Sequence, residues 1–397
     1  MASFDGTSKS SEGKGQNIAY HTYSSPAMDK LKAEVMAKAS PEAIAYLDPL
    51  NYQGPKVIVD ASTLTDVEWQ AMRQNSIGSS AVSQVFGDCP YPDTTNLDLY
   101  YSKIGQPRLI PETREDKEKK ERMFLYGHLM EEYLHLVTRQ MWPKSNLLID
   151  TNIYADPLRP YLTANLDGMM QLSDGSYIHI EYKTTSEFGE DAYANGAIPP
   201  HYKRQLIQCQ HIMGVWRSRL IVALSRDNII VRDYVRDLDE EMEQVMGVEE
   251  FWTKNVLPHI PPEPLGKPGN IVQTLRNYSG TGDISIPEVT LNPCILDNVA
   301  QYADITAQIS VLNNQVKALE RMKDSCMIPI VQAMGQGTKG YITDGQKAYA
   351  VTWKPQKGRV SCNTKLLQLD HPDIYDQYCS TGKEVRPMKI KEVAVKH

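Results

Sequence analysis

The chain of 397 residues has no run of about 18 apolar residues, so nothing in it reads as a membrane-spanning helix. Its longest apolar stretch, Leu220 to Leu224, is a strand's length. Cysteine is sparse: six, at 89, 209, 294, 326, 362 and 379, with no CxxC pair. That argues against a zinc ribbon or a local iron-sulfur motif, and free thiols are expected. The 24 glycines and 24 prolines show no period, which excludes collagen-like and mucin-like chains. Residues 1–17 are rich in Gly, Ser and Lys and lack the apolar core of a signal peptide, so a cytoplasmic location is expected. There is no excess of positive charge either. Lys and Arg number 42 against 49 Asp and Glu, a net charge of -7, which leaves room for a local basic groove but not for a basic coat. What remains is an ordinary globular composition, 41% hydrophobic and 23% charged.

Along the chain, residues 1–26 read as a flexible tail and 26–50 as a modest helical pattern, together an N-terminal extension over 1–60. Thr65 with Glu68 three places on is a capping box opening a helix to Arg73. Ser79 to Phe86 reads as a short helix and Cys89 to Pro111 as loop. A charged stretch from Glu112 then becomes amphipathic: Met123, Tyr126, Met130, Tyr133, Leu134 and Val137 recur at helical spacing up to Trp142, predicting one buried stripe. A β section follows, with strands over 147–154, 162–172 and 177–184 and a turn at Asp174-Gly175. A helix over 200–215, strands over 219–225 and 229–234, and a helix-like segment over 238–256 complete a core over 61–257. The prolines from Pro258 to Pro268 open a Pro/Gly-rich linker, 258–292. In the C-terminal region, 293–397, the residues Tyr302, Ile305, Ile309, Leu312, Val316 and Leu319 follow a heptad seam. That seam suits packing on its own domain or, less favoured, an oligomer contact. A hairpin turned at Asp344-Gly345 comes next, then a short helix and an extended tail over 370–391.

The sharpest chemical feature is Asp167 followed by Glu181-Tyr182-Lys183. Glu181 and Lys183 are two apart on a strand, so both side chains leave one face. Where Asp167 points depends on the hairpin loop. A three-residue loop Ser173-Asp174-Gly175 pairs Leu172 with Ser176 and sets Asp167 opposite Glu181 on the same face. A two-residue loop turns Asp167 away. In the first register two carboxylates converge beside an ammonium, an arrangement stable when a hard cation such as Mg²⁺ or Mn²⁺ sits between the acids. Such an ion lowers the pKa of a bound water and neutralises charge on a phosphate. An ordinary surface Glu-Lys pair is the alternative for this motif alone. Glu131, on the amphipathic helix beside the apolar stripe, is a further candidate for the same ion. Gln205, Gln208 and Gln210 fall on the helix after the Glu-x-Lys strand, and Gln205 and Gln208 share a face. His128, Glu132 and His135 offer a minor zinc-face alternative.

The segment Trp69 through Arg73, Ile77, Gly78, Ser79 and Ser80 to Phe86, Gly87, Pro90 and Tyr91 resembles the opening motif of the YqaJ-like viral recombinases, relatives of phage lambda exonuclease in the PD-(D/E)xK nuclease superfamily. Gly127 with Glu131 is similar to their G-x-x-x-E helix, Asp167 with Glu181-x-Lys183 to their core, and Gln208 through Met213 and Val215 to the helix after it. Val351 to Lys354 and His371-Pro372 through Val385 to Pro387 resemble the C-terminal part of longer members. The resemblance implies a restriction-endonuclease-like α/β core, a central mixed sheet flanked by helices, with an added C-terminal helical and β-hairpin region. It implies a Mg²⁺-dependent (or Mn²⁺-dependent) 5′-to-3′ exonuclease on linear duplex DNA that leaves 3′ overhangs in a bacterial or phage-infected cell. Asp167 and Glu181 would hold the metal with the carbonyl of Tyr182, Lys183 would activate water, and Glu131 would hold a second ion or a water. Arg73 and Ser80 would bind the 5′-phosphate, with Gln208 or Gln205 assisting; Asn165 stands where the family tends to show a small residue and a nearby hydroxyl. A homo-oligomer (a ring trimer) and a single-strand annealing protein as partner are further expectations. A Cas4-like nuclease, a restriction-type endonuclease and a non-catalytic DNA-end binder are the alternatives.

Overall fold

Two serine-proline pairs open the described part of the chain. Ser25 caps α1 (Pro26–Lys38) by accepting from Met28 N, and Ser40 caps α2 (Pro41–Leu47) by accepting from Ala43 N. The computed structural model describes residues 24–379 with 388 and 390, leaving out 186, 226, 284 and 359. Most of the expected N-terminal tail and the end of the C-terminal one therefore lie outside the described residues. The chain forms two compact units, Met1–Gly280 and Thr281–His397.

In the first unit β1 (Lys56–Asp60) leads to α3 (Asp66–Gln74), and the capping box of Thr65 and Glu68 forms as its spacing predicts. Then come β2 (Ile77–Gly78), α4 (Val82–Val85) and α5 (Asn96–Lys103). Helix α5 falls inside the stretch expected to be loop. Its start is written locally, because Thr95 and Asp98 form a second capping box that the surrounding prolines and glycines mask. The long helix α6 (Arg114–Met141) follows, then β3 (Asn146–Leu148), β4 (Asn152–Ala155), β5 (Leu162–Asn165), β6 (Gly168–Gln171) and β7 (Tyr177–Thr184). After a 3-10 segment the chain forms α7 (Pro200–Met213), β8 (Arg217–Ala223), β9 (Ile229–Val235), α8 (Leu238–Glu250) and α9 (Pro268–Ser279). Helix α9 lies in the stretch read as linker and packs on α5, where Thr274 bonds Thr95 and Asp98.

The strands form a four-stranded sheet, β1-β4-β5-β2, and a five-stranded mixed sheet, β3-β6-β7-β8-β9, in which β7 and β8 run parallel and the other pairs antiparallel. The strand predicted over 162–172 is therefore two strands in two sheets, and the chain crosses between them at Leu166 and Asp167. Helix α7 lies against the sheets with nine successive buried residues, Gln205 to Met213. Leu206, Cys209, Ile212 and Met213 are fully buried and face different clusters, so α7 is the central helix of the unit. The stripe predicted on α6 is buried only in its second half: Leu134 is inaccessible, with Met130 and Tyr133 packed beside it, whereas Met123 and Tyr126 are exposed. Periodicity marks which residues share a face but not how far the neighbouring sheet extends along it.

A buried polar network ties α7 to α8. His211 bonds Glu241 Oε1 at 2.9 Å through Nδ1 and Asp156 Oδ2 at 3.0 Å through Nε2, and Arg236 grips the same glutamate at 2.6 and 2.7 Å. With a carboxylate on each ring nitrogen the histidine is held as an imidazolium. All six cysteines are free.

The second unit contains α10 (Leu296–Met334), the hairpin β10 (Lys339–Thr343) and β11 (Ala348–Thr352), and two short helices, α11 (Thr364–Asp370) and α12 (Pro372–Tyr378). The molecule is thus mixed α/β, with sheets flanked by helices and an added C-terminal helical and hairpin region. Among the described residues no helix is long and apolar enough to cross a membrane.

Candidate active site

The β6–β7 hairpin adopts the three-residue loop. Leu172 N donates to Ser176 O at 2.8 Å, Gly175 N donates to Leu172 O at 2.9 Å, and Gly175 takes φ +87, a conformation that favours glycine. The ladder runs Gln171↔Tyr177 through Gly168↔Ile180, so continuing it by one residue sets Asp167 opposite Glu181. The contact is direct: Tyr182 N donates to Asp167 Oδ2 at 2.8 Å, capping the ladder where the chain enters the sheet and β6 begins.

Glu181 is fully buried. Its Oε1 accepts hydrogen bonds from Lys183 Nζ and, at 2.6 Å, from Gln205 Nε2. Its Oε2 has no hydrogen-bond donor. Burial, and then Asp167 alongside, push the Glu181 carboxyl up to about 8 against the pull of Lys183. For Lys183 burial is the largest single effect and acts downward, but Glu181 and Asp167 together outweigh it and hold the ammonium above its ordinary value. Glu131, from α6, joins the same field. Burial and Asp167 push its carboxyl up to about 7, while Lys183 draws it down. Asp167 raises both glutamates and Lys183 opposes it in each, so the site is short of positive charge. The buried, undonated Oε2 of Glu181 beside Asp167 fits a hard divalent cation with oxygen ligands.

The site thus has an acid at the start of a hairpin, Glu-x-Lys on its second strand, a helix behind and a parallel strand beside. Residues 68–217 match a family described as the YqaJ-like viral recombinase domain. The segment is similar to that family over these residues. Among solved structures the chain is similar to an alkaline exonuclease, LHK-Exo, from Laribacter hongkongensis, alone and in complex with dAMP. Each is 16% identical with a TM-score of 0.38 over 49% of this chain and 94% of that chain. It is also similar to SSO0001, at 16% identity and a TM-score of 0.28 over 44% of this chain and 74% of that one. No curated protein matches.

Within residues 68–217 the other expected residues divide. Asn165 ends β5, exposed, two residues before Asp167. Arg73 is exposed in the last turn of α3, its carbonyl accepting from Lys103 Nζ. Ser80 is exposed just after β2, while its neighbour Ser79 is buried and bonds the Cys209 thiol. The two glutamines, predicted to share a face and assist at a phosphate, are both engaged inside the fold. Gln205 holds Glu181. Gln208 donates through Nε2 to Ile77 O at 2.7 Å and Thr163 O at 2.9 Å, stapling the parallel pair β2 and β5. Their shared helical face meets different neighbours three residues apart, which spacing alone does not convey.

Three side chains near Glu181 were not singled out by sequence. His179, two residues earlier on β7, is fully buried, with Nδ1 3.1 Å from Ser218 Oγ and Nε2 3.6 Å from Glu181 Oε2. Burial pushes its imidazole down to about 4, so it is neutral. The period of two already placed it on the face of Glu181. Cys209, one helical turn after Gln205, brings its sulfur within 4.8 Å of donor atoms of His179 and Glu181. Burial, and then Glu181, hold that thiol well above its ordinary value; it stays protonated and is no ligand as it stands. Tyr202, on α7, lies with its ring centre 5.5 Å from Lys183 Nζ, and its hydroxyl meets that of Tyr91 at 3.3 Å. His135 contacts Asp167 O at 3.2 Å; its zinc-face partners His128 and Glu132 form no convergent donor set with it among the described residues.

Proposed function

We propose that residues 68–217 form a Mg²⁺-dependent deoxyribonuclease that degrades linear duplex DNA from 5′ ends and leaves 3′ single-stranded overhangs for recombination. The observation that carries this reading is the convergence of Asp167, Glu181 and Lys183 on one face, with Glu131 beside them. Asp167, Glu181 and the carbonyl of Tyr182 would hold the ion, and Glu131 would hold a second ion or a water. A bound Mg²⁺ (or Mn²⁺) supplies charge neutralisation on the phosphate and a more acidic water. Lys183 orients the attacking water. The water oxygen bonds to phosphorus, the bond from phosphorus to the 3′-oxygen of the terminal nucleotide breaks, and the next nucleotide is left with a 5′-phosphate. Arg73 and Ser80 receive that phosphate, a guanidinium fork and a hydroxyl suited to a dianion, and Asn165 is exposed for a further contact. The amide groups of Gln205 and Gln208 serve the carboxylate and the backbone instead. Double-stranded DNA ends are the substrate, a single-strand annealing protein is the partner this reading favours, and the cytoplasm of a bacterial or phage-infected cell is the setting.

The test is release of label from linear duplex DNA carrying one labelled 5′-phosphate, in Mg²⁺ and in chelator, with closed circular DNA alongside. Release from the linear substrate only, dependent on Mg²⁺ and lost in Lys183→Ala, is expected. Full activity in Lys183→Ala removes the assignment, and cutting of the circle indicates an endonuclease.

A further inference from the structure

The last turn of α3 leaves carbonyls that the helix itself cannot satisfy. Asn75 N donates to Ala71 O at 3.2 Å and to Met72 O at 3.1 Å. The next carbonyl, Arg73 O, accepts from Nζ of Lys103, the last residue of α5. The junction between the two helix ends is tight. Gly105 has φ +71, and a Cβ there would come within 2.6 Å of Gln74 Nε2. The Lys103 ammonium is thus held against the backbone of the same residue whose guanidinium is exposed at the end of α3.

A neutral donor would cap that carbonyl equally well, and a second cation beside Arg73 is unfavourable. Lys103 is half-buried, and burial, then the Arg73 guanidinium, lower its ammonium from 10.5 to about 8. It remains protonated at neutral pH, so two positive charges stand side by side. Among the described residues no carboxylate bonds either side chain. Other half-buried cations of the same unit are matched: Arg108 reaches Asp93 and Asp98, and Arg159 reaches Asp156 and Glu249. The ends of α3 and α5 therefore form a spot short of negative charge in a chain whose net charge is -7. An ammonium has three donors, and the Arg73 carbonyl takes one. An internal phosphodiester brings one negative charge, whereas a terminal phosphomonoester brings about -1.5 to -2 at pH 7 and three acceptor oxygens. Arg73 alone matches the first; the pair of cations matches the second. We propose that Lys103 is a specificity-determining residue, the second cation of the 5′-phosphate pocket, which with Arg73 selects a terminal phosphomonoester over a hydroxyl end. The proposal rests on the assignment of Arg73 to the 5′-phosphate.

The experiment is equilibrium binding of a short duplex, 5′-phosphorylated or 5′-hydroxyl, to the full chain in chelator, followed by fluorescence anisotropy. The ratio of the two affinities is the readout, so no cleavage is needed. Lys103→Gln keeps a donor for the Arg73 carbonyl and removes the charge, and Lys103→Arg keeps the charge. The unsubstituted chain should prefer the phosphorylated end. Lys103→Gln should cut that preference about tenfold or more, the size expected of one charge-assisted hydrogen bond, and Lys103→Arg should retain most of it. A preference unchanged in Lys103→Gln but lost in Arg73→Ala overturns the role of Lys103 and leaves the Arg73 assignment standing. Both affinities falling by one factor in Lys103→Gln, together with the melting temperature, reduces Lys103 to a helix cap and overturns it too. So does a preference lost equally in Lys103→Arg. No preference in the unsubstituted chain removes the Arg73 assignment and Lys103 with it.

Discussion

Replacing Glu181 by Gln should change the pH dependence of stability more than any other single substitution at the site. The wild-type carboxyl moves from an ordinary 4.5 to about 8 on folding, because burial and Asp167 both disfavour its charge. A carboxyl with a raised folded pKa binds its proton more tightly when folded. Its contribution is therefore fully present below about 4.5 and is lost as pH rises through about 8. At 1.36 kcal/mol per unit, the span amounts to about 5 kcal/mol. In a unit of this size that is roughly 10 °C in melting temperature. Glutamine keeps an oxygen for Gln205 and Lys183 but has nothing to titrate. In chelator, the melting temperature of Glu181→Gln should therefore rise relative to wild type by roughly that amount between pH 4.5 and 8. Melting followed by near-UV circular dichroism measures it directly, and divalent ion should restore the wild type at pH 8. A difference between the two proteins that does not vary with pH refutes the placement of Glu181 against Asp167.

Arg73→Ala should slow degradation of 5′-phosphorylated ends by about tenfold or more while sparing 5′-hydroxyl ends; equal losses on both ends reject the pocket. Gln205→Ala and Gln208→Ala should separate cleanly. The first frees Glu181 Oε1 from its amide donor and lowers turnover with little change in melting, whereas the second unstaples β2 from β5, leaves two buried carbonyls short of a donor and costs about 1–3 kcal/mol in denaturant unfolding. His211→Leu should cost about 3–5 kcal/mol at pH 6, by removing the cation between Asp156 and Glu241. Burial alone lowers the His211 pKa, but its two carboxylate partners outweigh that and raise it. The stabilisation is thus full below the ordinary 6.5 and fades as pH climbs through the raised value, so the penalty of the substitution should shrink in alkali.

Much of the site was legible because it is local. Gly175 in the left-handed region selects the three-residue loop, the loop fixes the register, and the register brings Asp167 to Glu181 across a distance of fourteen residues. The capping boxes at Thr65 and Thr95 are local too, although prolines and glycines around the second mask it. Contacts made across the fold were not legible. Nothing in the sequence around Leu166 says that β5 and β6 enter different sheets, since both are short runs of β-forming residues. The partners of Gln205 and Gln208 depend on which sheet each meets. Ser218, which bonds His179, comes from a strand brought alongside only by the parallel β7–β8 pairing. The half-exposed stripe of α6 belongs to the same class, because burial is decided by the neighbouring layer and not by the helix that carries the pattern.

The most direct measurement of the shared carboxylate site is equilibrium binding of Mn²⁺ to the whole chain, followed by the loss of its free-ion electron paramagnetic resonance signal. Wild type should take up the ion, and Asp167→Asn and Glu181→Gln should each weaken uptake severely while Gln208→Ala leaves it unchanged. Unaltered Mn²⁺ uptake in both carboxylate variants would contradict the account.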